Sequence, residues 1–132
     1  MTSINLEDRT AILDLCADYN HFTDTGQAEK VADLFGADGV FDGPPGIFKG
    51  RAEITQFNID IYAVLKGSMH FTDNHRFQLD GGIMYHACYL ALMLPGEAGA
   101  QPTLFTYEDE LVKEQNTWKF RLRKVRPFPS PV

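Results

Sequence analysis

The chain has 132 residues, 44% of them hydrophobic and 12% aromatic, with a formal net charge of −6. That length sustains one core, so 1–132 is read as a single domain. The acidic balance gives no footprint for nucleic acid, and no apolar run approaches the ~18 residues of a membrane span. The N-terminus has no apolar signal core, which places the protein in the cytoplasm. Cys16 and Cys88 each sit in apolar surroundings, as buried thiols rather than a disulfide framework.

Asn5 can cap a first helix, with Glu7 and Asp8 favouring the positive end of its dipole. Ile12, Cys16, Tyr19 and Thr23 recur at helical spacing, and Gly26 is the stop. A second, shorter helix is predicted around Ala28 to Phe35. Gly36 to Gly39 reads as a turn and Val40-Phe41 as a short strand, before Gly43-Pro44-Pro45-Gly46 breaks the chain. A third helix follows Gly50, from about Arg51 to Leu65, with Ile54, Phe57, Ile61 and Leu65 on one stripe.

Beyond Gly67 the period changes to two. Met69 to Leu79 and Ile83 to Leu94 read as strands around the Asp80-Gly81-Gly82 hairpin. Pro95 to Ala100 is a loop, and Thr103 to Val112 a further strand. In the last strand, Trp118 to Val125, Trp118, Phe120 and Leu122 form a dry face, while Lys119, Arg121 and Arg123 face water. The tail Pro127-Phe128-Pro129-Ser130-Pro131 lies over the surface. Helices first and antiparallel strands last indicate an α+β class.

Three local patterns, in this order, resemble the SnoaL-like branch of the nuclear transport factor 2-like superfamily. They are Tyr19-Asn20-His21-Phe22-Thr23-Asp24-Thr25-Gly26 leading to Val31-Ala32-Asp33-Leu34-Phe35, then Phe48-Lys49-Gly50-Arg51-Ala52-Glu53-Ile54, then Met69-His70-Phe71-Thr72-Asp73-Asn74. Tyr107-Glu108-Asp109-Glu110 and Trp118-Lys119-Phe120 follow. The resemblance implies a cone-shaped α+β barrel, three helices on a strongly curved, mostly antiparallel sheet, around a deep apolar cavity. It also implies a homo-oligomer, dimer or trimer. It fixes no reaction, because the superfamily spans dehydratases, isomerases, cyclases, hydrolases and non-catalytic adaptors.

In dehydratases and a dehydrochlorinase of that superfamily, an aspartate ending the first helix orients a strand histidine, and Asp24 and His70 match those positions. Neutral imidazole is a good proton acceptor near pH 7, and a carboxylate fixes its tautomer. The first expectation is therefore a cofactor-independent lyase or isomerase acting on a small apolar, cyclic molecule. Tyr19, Phe57 and Ile61 would line its pocket, with His86 a second pocket histidine. Asn74 would share the face of His70 and hold a substrate oxygen, while His75 would point to the opposite face. On that geometry, and without a helical histidine pair or cysteine knuckle, no metal or other cofactor is expected. A second reading pairs Tyr19 with Asp42 as in ketosteroid isomerase. A third is a non-catalytic domain that binds a hydrophobic ligand or serves assembly.

Overall fold

The computed structural model describes residues 3–96, 99 and 101–129. Part of the loop expected at 95–100 and the end of the proline-rich tail lie outside the described residues.

Asn5 caps α1 (Leu6–Asp24), its Oδ1 accepting from the Asp8 N–H at 2.8 Å. The helix buries Ile12, Leu15, Cys16, Tyr19 and Asn20 along one side. Gly26 follows in the left-handed region, φ 72°, where a Cβ would also collide with the Tyr62 ring. α2 (Ala28–Asp33) is two residues shorter than its apolar pattern suggests. α3 (Gly50–Leu65) buries Ile54, Phe57 and Asn58.

The strands are β1 (Phe35–Gly43), β2 (Gly46–Lys49), β3 (Met69–Asp80), β4 (Ile83–Leu94), β5 (Gln101–Glu114) and β6 (Thr117–Pro127). They form one six-stranded sheet in the order β2-β1-β6-β5-β4-β3, antiparallel except for the β1–β6 pair. The three helices pack on its inner face, the α+β arrangement expected. The glycine-rich stretch read as a turn instead belongs to β1. Its pairing with β6 slips between Phe35 and Val40. At Gly39 a Cβ would lie 2.7 Å from the Phe35 Cβ and 3.1 Å from the Phe120 carbonyl oxygen, so glycine permits the close approach. The Pro44-Pro45 break proves to be the tip of a hairpin with β2, which sequence periodicity did not reveal.

Two strands carry one extra residue. In β3, Asp73 pairs with Tyr89 but Arg76 with Ala87, leaving Asn74 and His75 opposite a single position. Asn74 takes φ 59°, a left-handed conformation that asparagine tolerates. In β6, Phe120 pairs with Leu111 and Leu122 with Glu110, so Arg121 is the added residue. Such a bulge reverses the facing of every side chain beyond it. His70 and Thr72 point inward before the first bulge, and His75, Phe77 and Leu79 after it. Trp118 and Phe120 point inward before the second, and Arg123 and Val125 after it. Two expectations are thereby corrected: His75 shares the face of His70, and Arg123 is core while Leu122 is not.

Trp118 fixes the start of α1 to β6. Its Nε1 donates to the Asp8 carboxylate at 2.9 Å, and Lys113 sits 3.2 Å from the same oxygen. The Trp118 bond, with help from Lys113, holds the Asp8 carboxyl below its ordinary range. A carboxyl with a lowered folded value contributes stability above its unfolded value, about 3.9, and loses it as pH falls through the folded value. Asp8→Asn should therefore cost about 1 kcal/mol at neutral pH, allowing for partial solvent screening, and progressively less in acid. Urea unfolding of both proteins at neutral and acid pH reads this difference. The β3 bulge has its own test. Asn74→Gly should leave stability nearly unchanged, whereas Asn74→Val should cost about 1–2 kcal/mol, because a β-branched residue resists the left-handed region.

Candidate active site

Asp24 is the last residue of α1 and His70 the second of β3. The carboxylate accepts twice from this one residue. His70 Nδ1 lies 2.6 Å from Asp24 Oδ1, and the His70 backbone N–H donates to both carboxylate oxygens at 3.1 and 3.2 Å. A carboxylate only accepts, so the ring proton belongs on Nδ1, and Nε2 is left with its lone pair. The side chains keep 12% and 16% of their exposure, enough burial to exclude most competing water.

His70 lies on the wall of a cavity of about 310 Å³. The remaining wall is mainly apolar, including Phe41, Phe57, Ile61, Leu90, Leu92 and Phe105. Its polar groups are few. Tyr19 and Tyr107 are buried side by side, their rings 5.9 Å apart edge to face. Burial pushes the Tyr19 hydroxyl up to about 12, so it remains a proton donor through the ordinary pH range. Asn58 commits its amide N–H to the Ile54 carbonyl at 2.8 Å, which leaves its side-chain oxygen to accept from a ligand.

Of the residues singled out in the sequence, His70, Tyr19, Phe57 and Ile61 line this cavity, and Asp24 reaches it through His70. Three do not. Asn74 is exposed on the opposite side of the sheet, because the bulge turns it outward. Asp42 is bound by Arg126, Nη2 to Oδ2 at 2.9 Å, and is absent from the wall. His86 is buried, but in a separate cluster. Tyr107, Asn58, Thr23 and Ser68 line the cavity without having been singled out. Tyr107 was accessible to a period-two count, since it shares one face with Asp109 and Leu111 along β5.

That cluster crosses four strands of the inner face. Arg123 on β6 is directly opposite Asp109 on β5, which is opposite His86 on β4. Arg123 Nε lies 3.2 Å from Asp109 Oδ1, Asp109 Oδ2 lies 2.8 Å from His86 Nδ1, and His86 Nε2 lies 2.9 Å from His75 Nδ1 on β3. The Arg123 guanidinium is fully buried and sits over the rings of Tyr107, Tyr19 and Phe120, at 3.5, 4.3 and 4.5 Å from their centroids. Cation–π attraction and the Asp109 charge offset part of its lost hydration, although none of its three nitrogens has a hydrogen-bond partner among the described residues. Burial, then the neighbouring His86, lower the proton affinity of His75. Burial pushes the Cys16 thiol, beside this row, up to about 12.

Residues 5–124 match the sequence pattern described as a SnoaL-like domain. The chain belongs to the SnoaL-like domain family. Solved structures agree with it in fold. A Novosphingobium aromaticivorans protein proposed as an aromatic ring hydroxylase is 27% identical, with a TM-score of 0.85 over 98% of this chain and 94% of its own. A protein of the same organism proposed as a scytalone dehydratase is 23% identical, with a TM-score of 0.81 over 93% and 85%. ActVI-ORFA from Streptomyces coelicolor is 20% identical, with a TM-score of 0.81 over 91% and 97%. No functionally curated protein matches the chain in sequence. Among the described residues, no helix is long and apolar enough to cross a membrane.

In this SnoaL-like chain the buried ion pair beneath the cavity is the feature most exposed to mutation. Arg123→Met strands the Asp109 carboxylate in the core, and breaking such a pair from one side costs about 3–5 kcal/mol. Adding Asp109→Asn should restore part of that loss, since it removes the stranded charge. Denaturant unfolding of the single and double variants measures both effects.

Proposed function

We propose that this SnoaL-like protein is a cofactor-independent lyase or isomerase that moves a proton on a small apolar, cyclic molecule. The observation that carries the reading is the Asp24–His70 hydrogen bond of 2.6 Å at the wall of a mainly apolar cavity. His70 Nε2 takes a proton beside a carbonyl or a leaving group. Asp24 holds the tautomer and offsets the charge of the imidazolium that forms. Tyr19 and Tyr107 donate to the oxygen on which negative charge develops, and the apolar wall strengthens those bonds by excluding water. About 310 Å³ lies at the small end of ligand pockets, which suits a molecule of one or two rings.

The solved relative proposed as a scytalone dehydratase carries a name consistent with such chemistry. The pairing of Tyr19 with Asp42 has weaker support, because Arg126 occupies the Asp42 carboxylate away from the cavity. A purely ligand-binding role would use the same cavity without needing the dyad, so the dyad is where the two readings separate.

The test uses a panel of cyclic β-hydroxyketones and cyclic enones, followed by loss of water or by deuterium uptake from D₂O. With a responding substrate, His70→Ala should lose about 10²–10⁴-fold or more of kcat. Asp24→Asn should lower kcat heavily with the circular dichroism spectrum unchanged. The double variant should be little worse than His70→Ala, since both changes remove one function. Full activity in His70→Ala rules the dyad out.

A further inference from the structure

We propose that Cys16, His75 and His86 form a binding site for one thiophilic divalent metal ion of the zinc class, separate from the cavity at His70. The Cys16 sulfur and one ring nitrogen from each histidine all lie within 4.8 Å of one another. The two nitrogens, His75 Nδ1 and His86 Nε2, are 2.9 Å apart. None of the three residues is part of the cavity wall.

The geometry suits the ion. Zinc bonds imidazole nitrogen at about 2.0–2.1 Å and thiolate sulfur at about 2.3 Å, which sets tetrahedral ligand atoms roughly 3.3–3.6 Å apart. The nitrogens need to part slightly and the sulfur to close in, movements within the reach of side-chain torsions. The surroundings suit it as well. His86 Nδ1 is bonded to Asp109, which Arg123 holds in turn. This directs the Nε2 lone pair at the proposed centre, the carboxylate-backed arrangement that orients metal-binding histidines. Cys16 comes from α1 and the histidines from β3 and β4, so the ion would join helix to sheet.

On binding, the Cys16 thiol gives its proton to solvent, and the ring proton of His75 moves from Nδ1 to Nε2. The thiolate and Asp109 offset the two charges of the ion, and Arg123 remains as one surplus positive charge. The fourth ligand is then anionic, a hydroxide or a small thiolate. His75 is half-buried beside a groove also lined by Cys16, Asn20, Thr72 and the Asp24–His70 pair, and that groove, rather than the cavity of about 310 Å³, gives the fourth ligand its entry. The bulge at Asn74 makes the site, because without it His75 would face outward.

Chelator-treated protein titrated with Co(II) tests the proposal. One equivalent should bind with a thiolate-to-cobalt charge-transfer band and the strong visible bands of a four-coordinate ion, and Zn(II) should displace it. Cys16→Ala and His75→Ala should each weaken binding by at least about 100-fold. Cys88→Ala, which removes the other buried thiol, should leave the spectrum unchanged. His75 is near the surface, so its variant keeps the test readable if Cys16→Ala does not fold. Absence of the charge-transfer band at saturating Co(II), its survival in Cys16→Ala, or unweakened Co(II) binding in His75→Ala overturns the site and leaves the row of polar residues a structural network.

Discussion

Side chains alternate along a strand, so one extra residue reverses everything beyond it. This constraint decides what the inner face of the sheet contains. Without Asn74, the second half of β3 would turn His75, Phe77 and Leu79 to the outside. Without Arg121, β6 would place Leu122 in the core and Arg123 in water. One bulge brings the Arg123 cation into the interior and the other the His75 imidazole, and Asp109 and His86, on unbroken strands, already stand there to meet them. The buried row from Arg123 to His75 depends on two local irregularities, and the guanidinium is held there by the Asp109 charge and by aromatic rings, since none of its nitrogens has a hydrogen-bond partner among the described residues.

The row and the cavity are joined through aromatic rings. Tyr19 and Tyr107 line the cavity and also cover the Arg123 guanidinium. The cation fixes both rings from beneath, so the two hydroxyl groups are held by packing rather than by flexible side chains. The dyad lies where the end of α1 meets the start of β3. Its placement is equally rigid, because Asp24 accepts from the backbone as well as from the ring of His70. A site held in this way needs little reorganisation when charge develops on a ligand.

Much of this was legible in the sequence. The helix cap at Asn5, the apolar stripes of α1 and α3 and the Asp80-Gly81-Gly82 hairpin are local signals with local causes, and each appears where its residues place it. The meeting of Asp24 and His70 is a contact between residues 46 positions apart, and it came from family resemblance rather than from periodicity. The bulges were not legible. Neither Asn74 nor Arg121 interrupts its strand in sequence, and the extra residue shows only against the partner strand. For that reason simple alternation puts Asn74, His75, Leu122 and Arg123 on the wrong side. Asp42 was misplaced for another reason: its partner Arg126 lies 84 positions away, on a strand whose parallel pairing with β1 has no sequence signature.

The central claim is that Asp24 sets the tautomer of His70 so that Nε2 serves the cavity. Nitrogen-15 NMR of the histidine rings tests it directly. In its neutral form His70 should carry its proton on Nδ1, with a strongly downfield proton resonance that disappears in Asp24→Asn. Its Nε2 resonance should move when a small phenol fills the cavity. A proton found on Nε2, or a His70 spectrum indifferent to Asp24→Asn, would contradict the account.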